Sequence, residues 1–221
     1  MMLNFNSYED LKNKLQIRIY DPDFSRNLLE GKVVTYIGDF ALVYMATLYE
    51  SEKKLGNLML TPELMDALGI DIQTLHKDAM LSDLNYEPVL FTTEDLIEAL
   101  FFDKPLFSIN LFNRKAHMES GHLPMLTLTK GNQMNGASLI LHKSIRKKIG
   151  DIVGGNFYVL PSSIHEVMII PEEGFEAGEL SELVSTCNSE LFTEANSEDI
   201  LSDKVQWCSM DGEILRRAEN E

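Results

Sequence analysis

The pattern of apolar and polar positions is sharpest between Asn156 and Pro171, NFYVLPSSIHEVMIIP. Phe157 to Leu160 are aromatic, β-branched or large apolar residues, and Val167 to Ile170 form a second apolar run of strand length bounded by Pro171. Pro161 fixes its own φ and pushes Leu160 into the extended region, which suits the end of a strand and the start of a turn. The stretch predicts a β-hairpin with Pro161-Ser162-Ser163 at its junction. Along its second strand Ile164, Glu166, Met168 and Ile170 share one face, and His165, Val167 and Ile169 the other.

Patterning elsewhere predicts alternating helices and strands. Ser7 with Asp10, followed by Tyr8, Leu11 and Leu15 at helical spacing, predicts a first helix of about ten residues. After the Asp21-Pro22-Asp23 turn, Val33 to Ile37 is a strand, and Phe40 to Tyr49 fits either strand or helix. Lys53 to Gly56 is a turn and Asn57 to Leu60 a short strand. Thr61-Pro62 starts a helix that Gly69 ends, Asp71 starts another in which Ile72, Leu75 and Ala79 share a face, and Thr92 caps a helix to about Phe102.

Beyond the irregular Lys104 to His122, strands are predicted over Met125 to Thr129 and Ala137 to Leu141, with Asn135-Gly136 as a turn pair. His142 to Ile149 is read as a short helix closed by Gly150. Leu180, Leu183, Val184, Cys187 and Leu191 form the stripe of an amphipathic helix. Asp211-Gly212, between Val205 to Ser209 and Glu213 to Arg216, signals a terminal hairpin.

These elements make an α+β protein with mixed or mainly antiparallel sheets and flanking helices. The expected organisation is an N-terminal α+β half over 1–104, an irregular connection over 105–122, and a ββαββ half over 123–221 that carries the acidic helix and the terminal hairpin.

Charge narrows the partners. The 221 residues carry a formal charge of −16. From Glu172 to Glu221 there are fourteen acidic residues against Lys204, Arg216 and Arg217, so −11 of the total lies in that stretch. Direct binding to nucleic-acid backbone or an anionic membrane is disfavoured, since both need the opposite sign. The one basic cluster, HKSIRKK from His142 to Lys148, is read as the exposed face of a helix. Two cysteines without CxxC spacing, and an N-terminus MMLNFNSYED without a basic or apolar leader region, point to a reducing cytoplasm. The longest apolar run, Phe40 to Tyr49, falls far short of the ~20 residues a bilayer crossing needs.

Three constellations bear on chemistry. Ser162, Ser163 and His165, with Glu166 beside them, invite a hydrolase in which a turn serine is activated by histidine. Set against it, the order differs from a G-x-S-x-G elbow and no oxyanion glycine loop precedes the serines, so the serines fit better as turn residues that bond nearby backbone, with His165 completing a structural network. His117, Glu119 and His122 are a plausible ligand set at a spacing that matches no recognised metal motif. The His165-Glu166 pair does not begin an HExxH site, because position 169 is Ile, and no phosphate-loop signature occurs. A buried Glu166 would need a cation, for which Arg146 or Lys147 is the nearest choice.

Taken together, LTLTKGNQMNGASLIL, a short helix, NFYVLPSSIHEVMIIP, ELSELVSTCN and LSDKV resemble an uncharacterised family of bacterial proteins, a domain of unknown function common in Clostridia and their relatives. Its members carry a near-verbatim Leu-Pro-Ser-Ser-Ile-His-Glu. The resemblance extends through TPELMDALGI in the N-terminal half, and Lys130 stands where the family commonly has Asn. It implies an α+β cytoplasmic protein and assigns no catalytic residue.

The functional expectation is a non-enzymatic cytoplasmic protein-binding or regulatory protein, one form of which is an acidic inhibitor that offers ordered carboxylates to a basic partner. Its surface is Pro161, Ser162, Ser163, His165 and Glu166, backed by the acidic helix, with no cofactor, no metal and another protein as partner. The alternative is a hydrolase using Ser162 or Ser163 with His165.

Overall fold

The computed structural model describes residues 7–51, 54–113, 125–161, 163–191 and 197–218. The chain forms two compact units divided between Tyr86 and Glu87. Both are built from antiparallel sheet with packed helices, an α+β fold.

The first unit opens with two short 3-10 turns, Tyr8–Asp10 and Lys12–Lys14, where a single helix was expected. Leu15 already belongs to a strand, β1 (Leu15–Tyr20), whose β-branched Ile17 and Ile19 are fully buried. Strand propensity from Ile17 onward overrides the helical spacing of Tyr8, Leu11 and Leu15. After α1 (Arg26–Leu29) come β2 (Val34–Ile37), the long β3 (Phe40–Ser51) and β4 (Lys54–Met59). Phe40 onward is therefore strand, and Lys54 to Gly56, read as a turn, pair with the end of β3. β1 runs along one edge of β3, while β2 and β4 share its other edge in succession.

Two capped helices complete this unit. In α2 (Pro62–Leu68) the Thr61 hydroxyl accepts from Leu64 N–H, and Gly69 closes the helix at φ 66°. In α3 (Ile72–Asp83) the Asp71 carboxylate accepts from Thr74 N–H. Leu75 and Ala79 are buried as expected, whereas Ile72 in the first turn is exposed. Buried Asp83 accepts from Ile17 N–H at 2.9 Å and so satisfies a donor of β1.

The second unit starts with β5 (Pro88–Thr92), a strand the sequence analysis did not assign, and α4 (Thr93–Phe101). β5 pairs with β6 (Leu126–Lys130) from Pro88↔Lys130 to Thr92↔Leu126. This pairing draws residues expected in the N-terminal half, including α4, into the second unit. Two 3-10 turns, Leu106–Ile109 and Leu111–Asn113, follow α4.

Ala137 to Leu141, expected as a strand, lie in a buried 3-10 segment, Gly136–Leu141. Its apolar run is explained by burial on all sides, a condition that periodicity cannot distinguish from a core strand. α5 (Lys143–Val153) runs past Gly150 and stops at Gly154, φ 76°. Gly150 is internal for a packing reason: a Cβ there would lie 2.0 Å from the Met210 carbonyl oxygen.

The hairpin of β7 (Phe157–Leu160) and β8 (Glu166–Pro171) forms as predicted, in register from Phe157↔Pro171 to Leu160↔Met168. α6 (Ala177–Leu191), β9 (Gln206–Cys208) and β10 (Leu215–Arg217) follow. The sheet order is β10-β9-β7-β8-β6-β5, antiparallel throughout. One face bears α6, with Leu180 and Val184 packed on Tyr158, Leu160 and Ile170. On that same face Val89 and Phe91 pack against Ala99 of α4 and Ile109. The opposite face, with Leu128, Val167, Ile169 and Val159, is covered by the 3-10 segment that leads into α5.

Candidate functional site

The junction between β7 and β8 is a hub of backbone hydrogen bonds. On one side Ser202 N–H donates to Pro161 O at 2.8 Å, Ile164 N–H donates to Asp199 O at 2.9 Å, and Ser163 bridges to Ile200. On the other, Gly136 N–H and the Thr129 hydroxyl both donate to His165 O at 2.9 Å, and Ala137 N–H donates to Ile164 O at 3.4 Å. Gly136 has no room for a side chain, since a Cβ would lie 2.5 Å from His165 O and 2.6 Å from Thr129 Oγ1. Asn135, just before it, adopts φ 54°, a left-handed value that Asn tolerates.

The imidazole of His165 is built into this hub. Its Nδ1 accepts from Asn135 N–H at 3.2 Å, and its Nε2 lies 3.5 Å from Asp199 Oδ1. An Nδ1 that accepts leaves the proton of the neutral ring on Nε2, where it faces a carboxylate. The Ser163 hydroxyl accepts from His165 N–H at 3.0 Å, a local turn bond. A serine nucleophile needs an accepting ring nitrogen within reach, and here that nitrogen holds a backbone amide. Ser162 lies outside the described residues, as do His117, Glu119 and His122. Pro161 and Ile164 are buried, and His165 and Glu166 are half-buried.

Glu166 stands opposite Thr129 in the β6–β8 ladder, and neither cation suggested for it is available. Lys147 binds both carboxylate oxygens of Asp151 at 3.1 Å. Arg146, expected on an exposed face, is buried instead. Its Nε donates to Gly212 O at 2.9 Å, and its Nη1 donates to Ile140 O at 2.9 Å and Leu141 O at 2.8 Å. It ties the 3-10 segment to the β9–β10 turn, a role that a run of basic letters does not reveal.

A different surface was missed. Leu96 and Ala99 of α4 pack inward on β5, together with Leu106 from the following turn. Ile97, Leu100 and Phe101 point the other way, and with Phe102 and Phe107 each is 58–82% exposed. Phe101 and Phe102 meet edge to face with ring centroids 5.1 Å apart, and Lys104 Nζ lies 5.3 Å over the Phe102 ring while pairing with Glu98 at 2.6 Å.

A family model matches residues 1–208. The chain belongs to DUF5688, a family of unknown function. No curated protein and no solved structure matches it. The DUF5688 match takes in the hub around His165, Arg146, α4 and β9, and stops before β10.

Two other features of this DUF5688 chain bear on chemistry. Cys208 is buried beside Arg146; burial pushes its thiol up to about 11 although the guanidinium pulls the other way. The same burial lowers Arg146 from the ordinary arginine range. Cys208 is thus a protonated thiol at neutral pH and a poor nucleophile. An open groove of about 310 Å³ lies between Lys147, Asp151, Asn156, Ser209, Met210 and Asp211. Its lysine is already paired with Asp151, and both side chains are half exposed, so it lacks the enclosed apolar walls of a small-molecule site. Among the described residues no group of three His, Cys, Asp or Glu is arranged to hold a metal, and no helix is long and apolar enough to cross a membrane.

Proposed function

We propose that this DUF5688 protein is a non-catalytic, cytoplasmic protein-binding module. The observation that carries the proposal is the outward face of α4 and the turn after it. Five large apolar side chains exposed on one short stretch amount to on the order of 600 Å² of apolar surface, at the upper end of what a monomer leaves in water. The two free thiols, Cys187 and Cys208, suit a reducing compartment. The Ser-Ser-Ile-His-Glu turn then serves as scaffold: it locks the 3-10 segment and the 197–202 stretch to the sheet that carries α4. A hydrolase using Ser163 with His165 draws less support, because Nδ1 of the ring is occupied by Asn135 N–H.

The test is a photo-crosslinking amino acid placed at Leu100 and, as a control, at exposed Glu182 of α6, with the chain expressed in its native host. A discrete protein adduct from position 100 and none from position 182 is the expected result. Absence of any adduct from position 100 refutes the binding surface.

A further inference from the structure

α4 is apolar on both sides. Its inner positions Leu96 and Ala99 are committed to the sheet, while Ile97, Leu100 and Phe101 fall at i, i+3 and i+4 on the outside. An apolar stripe of this size on a helix is normally covered, and in this fold the outer one faces water. What covers it is constrained by the charges that ring it. From Thr92 to Ser108 the chain carries Glu94, Asp95, Glu98 and Asp103 against the single cation Lys104, a net −3.

Lys104 is not on offer to a partner, since its ammonium is held by Glu98 at 2.6 Å and lies over Phe102. A second copy docked face to face through a two-fold axis would bring two such acidic rims together, a like-charge arrangement that interfaces avoid. An anionic membrane surface meets the same objection. The complementary occupant has large apolar side chains at helical spacing with Lys or Arg beside them.

We infer that the outer face of α4, with Phe102 and Phe107, is a docking site for a cationic amphipathic helix of a partner protein. The partner's apolar side chains lie along Ile97, Leu100 and Phe101, and its flanking cations meet Glu94 and Asp103. This inference rests on the binding-module reading above and adds the chemistry of the partner.

The probe is a fluorescent eighteen-residue amphipathic helix with leucines on one face and lysines beside them, titrated against the full chain by anisotropy at low salt. A second peptide keeps the leucines and replaces every lysine by glutamate. Three proteins are compared: wild type, Leu100→Ser with Phe101→Ser, and Glu179→Gln with Glu182→Gln on α6. Both positions of the first pair are exposed, so that variant keeps its fold, which circular dichroism verifies.

Binding of the lysine peptide at least tenfold tighter than the glutamate peptide is expected. It should fall at least tenfold in the Leu100/Phe101 variant and change less than twofold in the α6 variant. Equal loss in both variants means attraction to bulk negative charge and overturns the inference. No binding to wild type overturns it as well. So does sedimentation that shows a dimer abolished by the Leu100/Phe101 change, which would make a second copy the occupant. If the Leu100 crosslink in the host captures a protein whose contact segment is neutral or acidic, the binding-module reading stands and this inference falls.

Discussion

Replacing His165 by Ala separates a structural hub from a catalytic one. The ring accepts from Asn135 N–H at 3.2 Å, and Asn135 is fully buried. Without the ring that amide loses its acceptor in a setting with no solvent, a penalty of about 1–3 kcal/mol. The Nε2 contact to Asp199, 3.5 Å long and with its carboxylate 42% exposed, adds no more than about 1 kcal/mol. The expected destabilisation is about 1–4 kcal/mol, a large share of the stability of an ordinary domain. Urea unfolding at neutral pH measures the change. Amide exchange localises it, because protection of Asn135 and Gly136 should fall before that of β3 in the other unit. A variant within 0.5 kcal/mol of wild type, with the Asn135 amide still protected, would show that the ring does not hold this turn, and the scaffold account would fail.

Three other outcomes follow from the same geometry. Gly150→Ala puts a Cβ 2.0 Å from Met210 O and 2.7 Å from Met210 C; it should cost about 2–4 kcal/mol by urea unfolding despite the ~1 kcal/mol that Ala normally adds to a helix. Gly155→Ala, with nothing within 4 Å, is the control and should change stability by less than about 0.5 kcal/mol. Cys208 has its pKa raised from 9.0 to about 11, so the neutral thiol is favoured by the fold; its contribution is complete below pH 9 and lost as pH rises towards 11. The stability difference between wild type and Cys208→Ala should therefore shrink across that window, and a difference that grows would contradict the burial. Asn110→Ala removes the acceptor of Leu90 N–H and Phe112 N–H, both 3.1 Å, and the donor to Pro88 O at 2.9 Å. It should cost about 2–3 kcal/mol and, by baring the outer edge of β5, raise aggregation measured by light scattering.

How legible the chain was depended on whether its signals were local. The β7–β8 hairpin, the caps at Thr61, Asp71 and Thr92 and the Asp211-Gly212 turn are set by residues within a few positions of one another, and they form as read. The 3-10 segment Gly136–Leu141 was misread because its apolar run is buried by contacts distant in sequence. Gly136 is fixed by His165, in the junction between β7 and β8. β5 was missed because Pro88 and Val89 precede a strong helix cap, and only pairing with β6, nearly forty residues on, makes them a strand. In both cases the deciding partner is a strand or side chain that no window of the sequence contains.

The same limit governs the surface proposed for binding. Ser162, Ser163, His165 and Glu166 stand out as letters because serine, histidine and glutamate are the vocabulary of catalysis, yet the atoms of Ser163 and His165 are spent on backbone amides. Leu96 to Phe102 carries no such vocabulary. Its apolar residues fall on both sides of the helix, so periodicity alone cannot say which side meets the sheet. Pairing of β5 with β6 settles that choice: it turns Leu96 and Ala99 inward and leaves Ile97, Leu100 and Phe101 in water. The docking surface we propose is a remainder, the apolar area left after the fold has taken its share, and such a remainder becomes visible only when the core has been accounted for.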